Sequence, residues 1–304
     1  MTENAITCAW HPIETKNSIY NKQFSTGELP IEPNRYSLVW GAFCPWATPV
    51  AILIDLSGLD QVIYKSPVYP LRHSGINDDW FFGKDDSTVD PILKTNRLSQ
   101  SYQKTDPNFT GRAGVPSLVD VQTGRVVNAD PNELLTELID PWTAYTKDGT
   151  KNLFQPKLRE AIQATNQKII DNLSTVIGKI ETVSSQESYN QLVNQYFNQL
   201  EEFDKQLSSN QYLLGDQLTI ADILLFVRLV RFDLVYYFKD KLNKKRLTDF
   251  RNLWRYAKNL YQIPAFKKNT DFLAIKQHFF QVSENIEDFN HVLPVGPDTA
   301  KWEN

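Results

Sequence analysis

The chain has 304 residues, enough for about two domains that each bury a core. Its hydrophobic fraction of 41% and charged fraction of 22% are those of a soluble globular protein, and no apolar run nears the roughly 20 residues of a membrane span. A formal net charge of −4 argues against a nucleic-acid surface, and two cysteines, Cys8 and Cys44, exclude a disulfide framework or a metal knuckle.

Residues 1–34 show no sustained period and carry Pro12, Pro30 and Pro33, which reads as an extended arm wrapping the first domain. A basic start followed by an apolar stretch is missing, so the arm does not read as a secretory signal, and a cytoplasmic location is expected. Tyr36 to Trp40 is a compact strand, Gly41 to Pro45 a turn, and Trp46 to Leu56 an apolar helix. Gln61 to Lys65 reads as a second strand, residues 70–96 as a long functional loop rich in Asp, Gly, Ser and Asn, and Leu98 to Lys104 as a helix. Gly114 to Asp120 is a turn opening a strand, and Gln122 to Arg125 separates it from a partner at Val126 and Val127, giving a hairpin. Asp130 fits an N-cap with Pro131 in the first helical position, and Leu134, Leu135 and Leu138 supply that helix's packing face.

From 141 to 155 the composition is that of a linker, and strand signals then cease, so the second half is all helix. A helix is expected from Pro156 to Ile180. Tyr189, Leu192, Val193, Tyr196, Phe197, Leu200, Phe203 and Leu207 recur at steps of three and four and mark the apolar stripe of another. Thr219 to Asp222 is a capping box opening an apolar helix, within which Asp222, Arg228, Arg231 and Asp233 must be paired or capping. The basic cluster Lys239, Lys241, Lys244, Lys245 and Arg246 reads as a solvated helix end and turn. The expected organisation is an arm (1–34), an α/β domain (35–140), a linker (141–155), an all-helical domain (156–285) and a tail (286–304).

Chemistry concentrates at Trp40-Gly41-Ala42-Phe43-Cys44-Pro45-Trp46-Ala47. A cysteine between a strand and a helix faces unpaired backbone N–H groups and the positive end of the helix dipole, which favour the reactive thiolate. A free cysteine is also a common small buried hydrophobe, so position alone leaves both readings open. Val115-Pro116 at a strand start marks an edge, a strand beginning or a cis bond that would free backbone groups for an extended ligand. Tyr236, Tyr237 and Phe238 offer either an aromatic wall or core. No metal site, phosphate loop or serine-histidine-aspartate set is visible, and the four histidines lack ligand spacing.

Cys-Pro-Trp-Ala after a strand, Trp80 in an acidic loop, Gly111 to Pro116, Tyr212 to Asp222, Leu229 to Asp233 and Leu293 to Pro297 together resemble glutathionyl-hydroquinone reductases, the Xi class of glutathione transferases. The resemblance runs from about residue 30 to residue 297. It implies a thioredoxin-like α/β domain followed by a glutathione-transferase-type helical domain, and a homodimer. It implies glutathione as co-substrate and an aromatic, quinone-like electrophile as partner; from charge, apolar runs and ligand spacing, no nucleic acid, membrane or metal is expected. Cys44 matches the family's nucleophile, which takes the glutathionyl sulfur as a mixed disulfide that a second glutathione resolves. Tyr236 matches a tyrosine that assists the thiol. Trp80, Arg112, Ala113, Gly114, Val115 and Asp130 match glutathione contacts. The sequence departs from the family at Asp130-Pro131, where an acid-serine pair is usual, at Phe279 and near Gly178, where tyrosines are usual, and at Thr48-Pro49, where His-Arg is usual. These departures motivate two alternatives: a non-catalytic member of the fold, and an enzyme using another small thiol.

Overall fold

The computed structural model describes residues 19–72, 79–281 and 291–303. Cys8 lies outside them. Contacts gather the described residues into two compact units, one comprising 19–151 with 269–293 and the other 152–268 with 294–303.

The first unit is built on four strands, β1 (Tyr36–Trp40), β2 (Ile63–Pro67), β3 (Ser117–Asp120) and β4 (Arg125–Asn128), in the order β2-β1-β3-β4. β1 and β2 run parallel, while β3 is antiparallel to both β1 and β4. β1 is buried at every position, as expected of a central strand covered on both faces. The second strand begins two residues later than its sequence pattern suggests, because Leu59 to Gln61 close a 3-10 turn after the Gly58 cap. Helix α1 (Ala47–Ser57) follows β1, α2 (Ser99–Thr105) follows the long loop, and α3 (Pro131–Glu137) follows the hairpin. The linker folds into short 3-10 turns at Thr143–Tyr145, Thr150–Phe154 and Pro156–Leu158.

Residues 20–22 cover an otherwise open sheet edge, the usual remedy for unpaired strand groups. Lys22 N–H donates to Val127 C=O at 2.9 Å and Ala129 N–H to Tyr20 C=O at 2.8 Å, on the free side of β4. The Glu137 carboxylate then accepts from the Phe24 N–H (2.7 Å), the Ser25 N–H (2.9 Å) and the Ser25 hydroxyl (2.6 Å). Phe24 turns its ring onto Tyr36 and Trp142, both centroids at 5.2 Å.

Helix α11 (Phe272–Phe280) comes late in the chain yet belongs to this unit. Its leader is tied down by Asn269, whose amide donates to Asp55 Oδ2 (2.7 Å) and accepts from Lys65 Nζ (2.9 Å). Lys65 itself pairs with Asp55 at 2.7 Å, so three polar side chains from α1, β2 and the α11 leader satisfy one another.

The second unit is helical: α4 (Arg159–Ile169), α5 (Thr175–Ile180), α6 (Gln186–Gln206), α7 (Ile220–Arg231), α8 (Tyr237–Lys239), α9 (Arg251–Tyr261) and α10 (Pro264–Lys268). The helix expected from Pro156 to Ile180 is interrupted by a π-helical segment at Ile170–Ser174, and a second one at Phe232–Tyr236 follows α7. The α6 stripe is core, with Tyr196, Phe197, Leu200 and Phe203 buried. Asp222 performs the expected cap and more: its carboxylate accepts from the Thr219 N–H (2.8 Å), the Thr219 hydroxyl (3.0 Å), the Leu213 N–H (2.9 Å) and the Tyr256 hydroxyl (2.9 Å). Arg228 Nε donates to Ser174 Oγ at 3.0 Å, Arg231 to the Val227 carbonyl at 2.8 Å, and Asp233 accepts from the Leu247 N–H at 3.2 Å, so the charges on α7 and the π-segment after it are all engaged. The basic cluster is partly internal, because Lys239 pairs with Glu181 (2.6 Å) and Asp240 (3.2 Å). Among the described residues no helix is long and apolar enough to cross a membrane.

Candidate active site

Cys44 sits in the turn between β1 and α1, 5% exposed, and the turn is closed by its own N–H donating to the Gly41 carbonyl at 2.9 Å. Its sulfur meets two backbone groups of opposite polarity. The Ala47 N–H, at the first residue of α1, points at Sγ from 3.4 Å, and the Val115 carbonyl lies 3.4 Å away on the other side. Protonated, the thiol donates to Val115; ionised, it accepts from Ala47, at the helix end whose dipole favours an anion. Val115-Pro116 is cis, one of the options its sequence position left open. The Thr48 hydroxyl donates to the Cys44 carbonyl at 2.8 Å, so the residue that departs from the family pattern here secures the first turn.

The backbone expected to bind an extended ligand is only partly available. The Ala113 carbonyl accepts from Arg72 Nη2 (2.9 Å), and the Gly114 carbonyl accepts from the Ser117 (2.7 Å) and Tyr102 (3.3 Å) hydroxyls. These two carbonyls shape the segment, and the N–H groups of Ala113 and Gly114 are the part of it that the expectation of a bound extended ligand rests on. Val115, ahead of the β3 ladder, is the position that reaches the thiol. Arg112 is exposed.

Trp80 is 3% exposed and lies between a cation and two rings: the Arg72 guanidinium 3.9 Å above its ring, Phe43 at 4.8 Å and His278 at 5.7 Å. Arg72 thereby joins Trp80 to Ala113, two of the expected contacts. The Trp80 indole N–H and Asp79 Oδ2 are buried and find no partner among the described residues, a donor and an acceptor side by side. These groups fit a peptide-like thiol.

Asp130 tells against part of that fit. Its Oδ1 accepts from the Asn132 N–H (2.8 Å) and the Glu133 N–H (3.2 Å), and Pro131 has no N–H to give. The start of α3 is thus capped by the chain's own carboxylate. Tyr236 is buried in the helical unit, at the end of the π-segment after α7, where its carbonyl accepts from the Asp240 and Leu242 N–H groups, both at 3.2 Å. Phe279 is buried against the His278 ring at 5.1 Å. Sequence reasoning missed Phe43, Arg72, Asp79 and His278. Only Phe43 had a local signal, its adjacency to Cys44.

Comparison with known proteins bears on this arrangement. The glutathione S-transferase C-terminal domain model matches residues 186–259. The chain is 33% identical over 278 residues to the Escherichia coli glutathionyl-hydroquinone reductase YqjG, covering 90% of this chain and 82% of that protein. Its fold superposes on the Xi glutathione transferase of Phanerochaete chrysosporium with a TM-score of 0.84 at 32% identity, over 93% of this chain and 96% of the other. It superposes on the glutathione-bound structure of Escherichia coli YqjG with a TM-score of 0.80 at 31% identity, over 89% and 87%. At 33% identity over 90% of its length to one curated relative, the chain is a member of the glutathionyl-hydroquinone reductase family, the Xi class of glutathione transferases.

Proposed function

We propose that this protein reduces glutathionyl-hydroquinones, or closely related glutathione mixed disulfides, with glutathione as the second thiol. The observation that carries the reading is the Cys44 sulfur held between the Ala47 N–H and the Val115 carbonyl. Cys44, as thiolate, attacks the sulfur of the glutathionyl thioether; the carbon–sulfur bond breaks, the aryl carbon takes a proton, and Cys44 is left in a mixed disulfide with the glutathionyl sulfur. A second glutathione thiolate attacks that disulfide, Cys44 leaves as thiolate, and oxidised glutathione departs. The two electrons that reduce the aryl carbon thus come from Cys44 and finally from glutathione.

Trp80, through an indole N–H that finds no partner among the described residues, and Val115, beside the thiol, are proposed glutathione contacts, with Arg112, Ala113 N–H, Gly114 N–H and Asp130 completing the groove. The family resemblance assigns Tyr236 as the tyrosine that assists the thiol, Tyr237 and Phe238 are the aromatic residues proposed for the substrate ring, and the proposed enzyme works as a homodimer in the cytoplasm, where the glutathione pool is reducing. One observation favours a second reading, a different small thiol: Asp130 already occupies the N–H groups that a ligand carboxylate would seek at α3.

Calorimetric titration with glutathione, joined to mass spectrometry after exposure to oxidised glutathione, tests the proposal. Binding together with a glutathionyl adduct on Cys44, and release of hydroquinone from a glutathionyl-hydroquinone, is the expected result. A protein that neither binds glutathione nor forms the adduct leaves the second reading standing.

A further inference from the structure

Phe43, the residue before the nucleophile, is 1% exposed and held on three sides. On one side is Gly41, where an added Cβ would come within 2.3 Å of the Phe43 ring, so the ring has folded back on its own turn. On another, Trp80 stands at 4.8 Å between centroids. On the third, the His278 imidazole stacks on it at 4.3 Å with the planes 25° apart. His278 comes from α11, and its ring is fixed in turn by Nδ1, 3.1 Å from the Pro70 carbonyl. A carbonyl only accepts, so this bond puts the proton on Nδ1. The segment carrying Pro70 is itself anchored, with Val68 N–H donating to Trp40 C=O and Tyr69 N–H to Phe81 C=O, both at 2.8 Å.

Phe43 and Cys44 share one tight turn, and the sulfur's contact with Ala47 depends on that turn's backbone. We propose that His278 is a positioning residue for the Cys44 reaction: by stacking on Phe43 from an anchored ring, it holds the nucleophile's turn at the start of α1. The inference rests on the reading of Cys44 as the reacting thiol, and it concerns the thiol's orientation, apart from which co-substrate is used. Stacking is the operative contact, with the Pro70 bond setting the ring's plane. Misplacing a catalytic group by about 1 Å costs about a hundredfold in rate, so losing the stack lowers kcat, while Trp80, which also meets His278 at 5.7 Å, stays held by Arg72 at 3.9 Å.

The test compares His278→Ala, His278→Phe and His278→Asn in the full-length protein. Two quantities are read: steady-state turnover of a glutathionyl-hydroquinone, and the rate at which iodoacetamide modifies Cys44, followed by peptide mass spectrometry so that Cys8 does not contribute. His278→Ala and His278→Asn should lower kcat by about ten- to a hundredfold with KM for glutathione within about twofold, and should alter the Cys44 alkylation rate at least about threefold. His278→Phe, which keeps a stacking ring, should restore most of both. If His278→Ala proves unstable, the comparison of His278→Asn with His278→Phe carries the same test. Equal impairment of the phenylalanine and asparagine variants, or an unchanged alkylation rate in both, overturns the proposal. Absence of turnover in the wild-type protein would refute the proposed activity, while the alkylation rates would still decide the role of His278.

Discussion

Replacing Pro131 with serine should tighten glutathione binding. In the structure the first turn of α3 offers nothing to a carboxylate ligand: residue 131 has no N–H, and the next two N–H groups are spent on Asp130 Oδ1 at 2.8 and 3.2 Å. Serine adds an N–H and a hydroxyl at the first helical position. A hydrogen bond to a charged group contributes about 1.5–3 kcal/mol, which at about 1.4 kcal/mol per tenfold is a fall in Kd of about ten- to 150-fold for one new bond. The accompanying loss of proline rigidity costs about 0.4–1 kcal/mol of folding stability, too little to unfold the unit. Calorimetry with glutathione, and with an analogue in which the γ-glutamyl carboxylate is replaced by hydrogen, separates the effects. The gain should appear with glutathione and be absent with the analogue. An unchanged glutathione Kd, or an equal gain for both ligands, refutes the reasoning that this end of the groove is limited by Pro131.

Three further outcomes follow from the geometry. Cys44→Ser should abolish turnover while leaving glutathione binding within about threefold, measured by calorimetry and hydroquinone release, because serine retains the volume and cannot form the mixed disulfide. Asp222→Ala strands two buried backbone N–H groups, of Leu213 and Thr219, and two hydroxyls. At about 1–3 kcal/mol for each stranded donor it should cost at least about 2 kcal/mol in urea unfolding, and a loss below about 1 kcal/mol would contradict the assignment. Asp240 is buried, which pushes its carboxyl up from 3.8 to about 6 against the opposing pull of Lys239. The folded state then holds a proton that the unfolded chain has released, so its contribution to stability falls as pH rises from 3.8 to about 6 and is flat above. Lys239, raised by Asp240 and Glu181, loses its contribution only above its ordinary value of 10.5, outside that window. Asp240→Asn should therefore gain stability relative to the wild type by up to about 3 kcal/mol between pH 4 and 6, whereas a difference constant with pH would show that Asp240 does not titrate there.

What the sequence made legible was local. Tyr36 to Trp40 followed by a glycine turn and Cys44 announced the strand-turn-helix, and Asp130-Pro131 and Thr219 to Asp222 announced two helix starts, because each pattern is satisfied within a few residues. The attachment of Phe24 and Ser25 through Glu137 was not legible, since nothing in the spacing says which acid will collect their N–H groups. The π-segments after α4 and α7 were invisible, as the apolar period continues through them. The surroundings of the thiol were the least legible part. Whether His278 meets Phe43 depends on where α11 packs, and that is decided by Asn269 joining Asp55 and Lys65, three residues with no common motif.

The same contrast explains why the departures from the family pattern carry different weight. Thr48 changes a side chain yet bonds back to the Cys44 carbonyl, so the nucleophile's turn is preserved by other means. Phe279 loses a hydroxyl but still packs against His278, which keeps the ring cluster closed. Pro131 removes a donor at the first helical position, where the next two N–H groups are already held by Asp130 Oδ1. The first two substitutions alter how the thiol is supported, and the third alters what the groove can hold, so differences from other family members should appear in thiol affinity before they appear in the chemistry at Cys44.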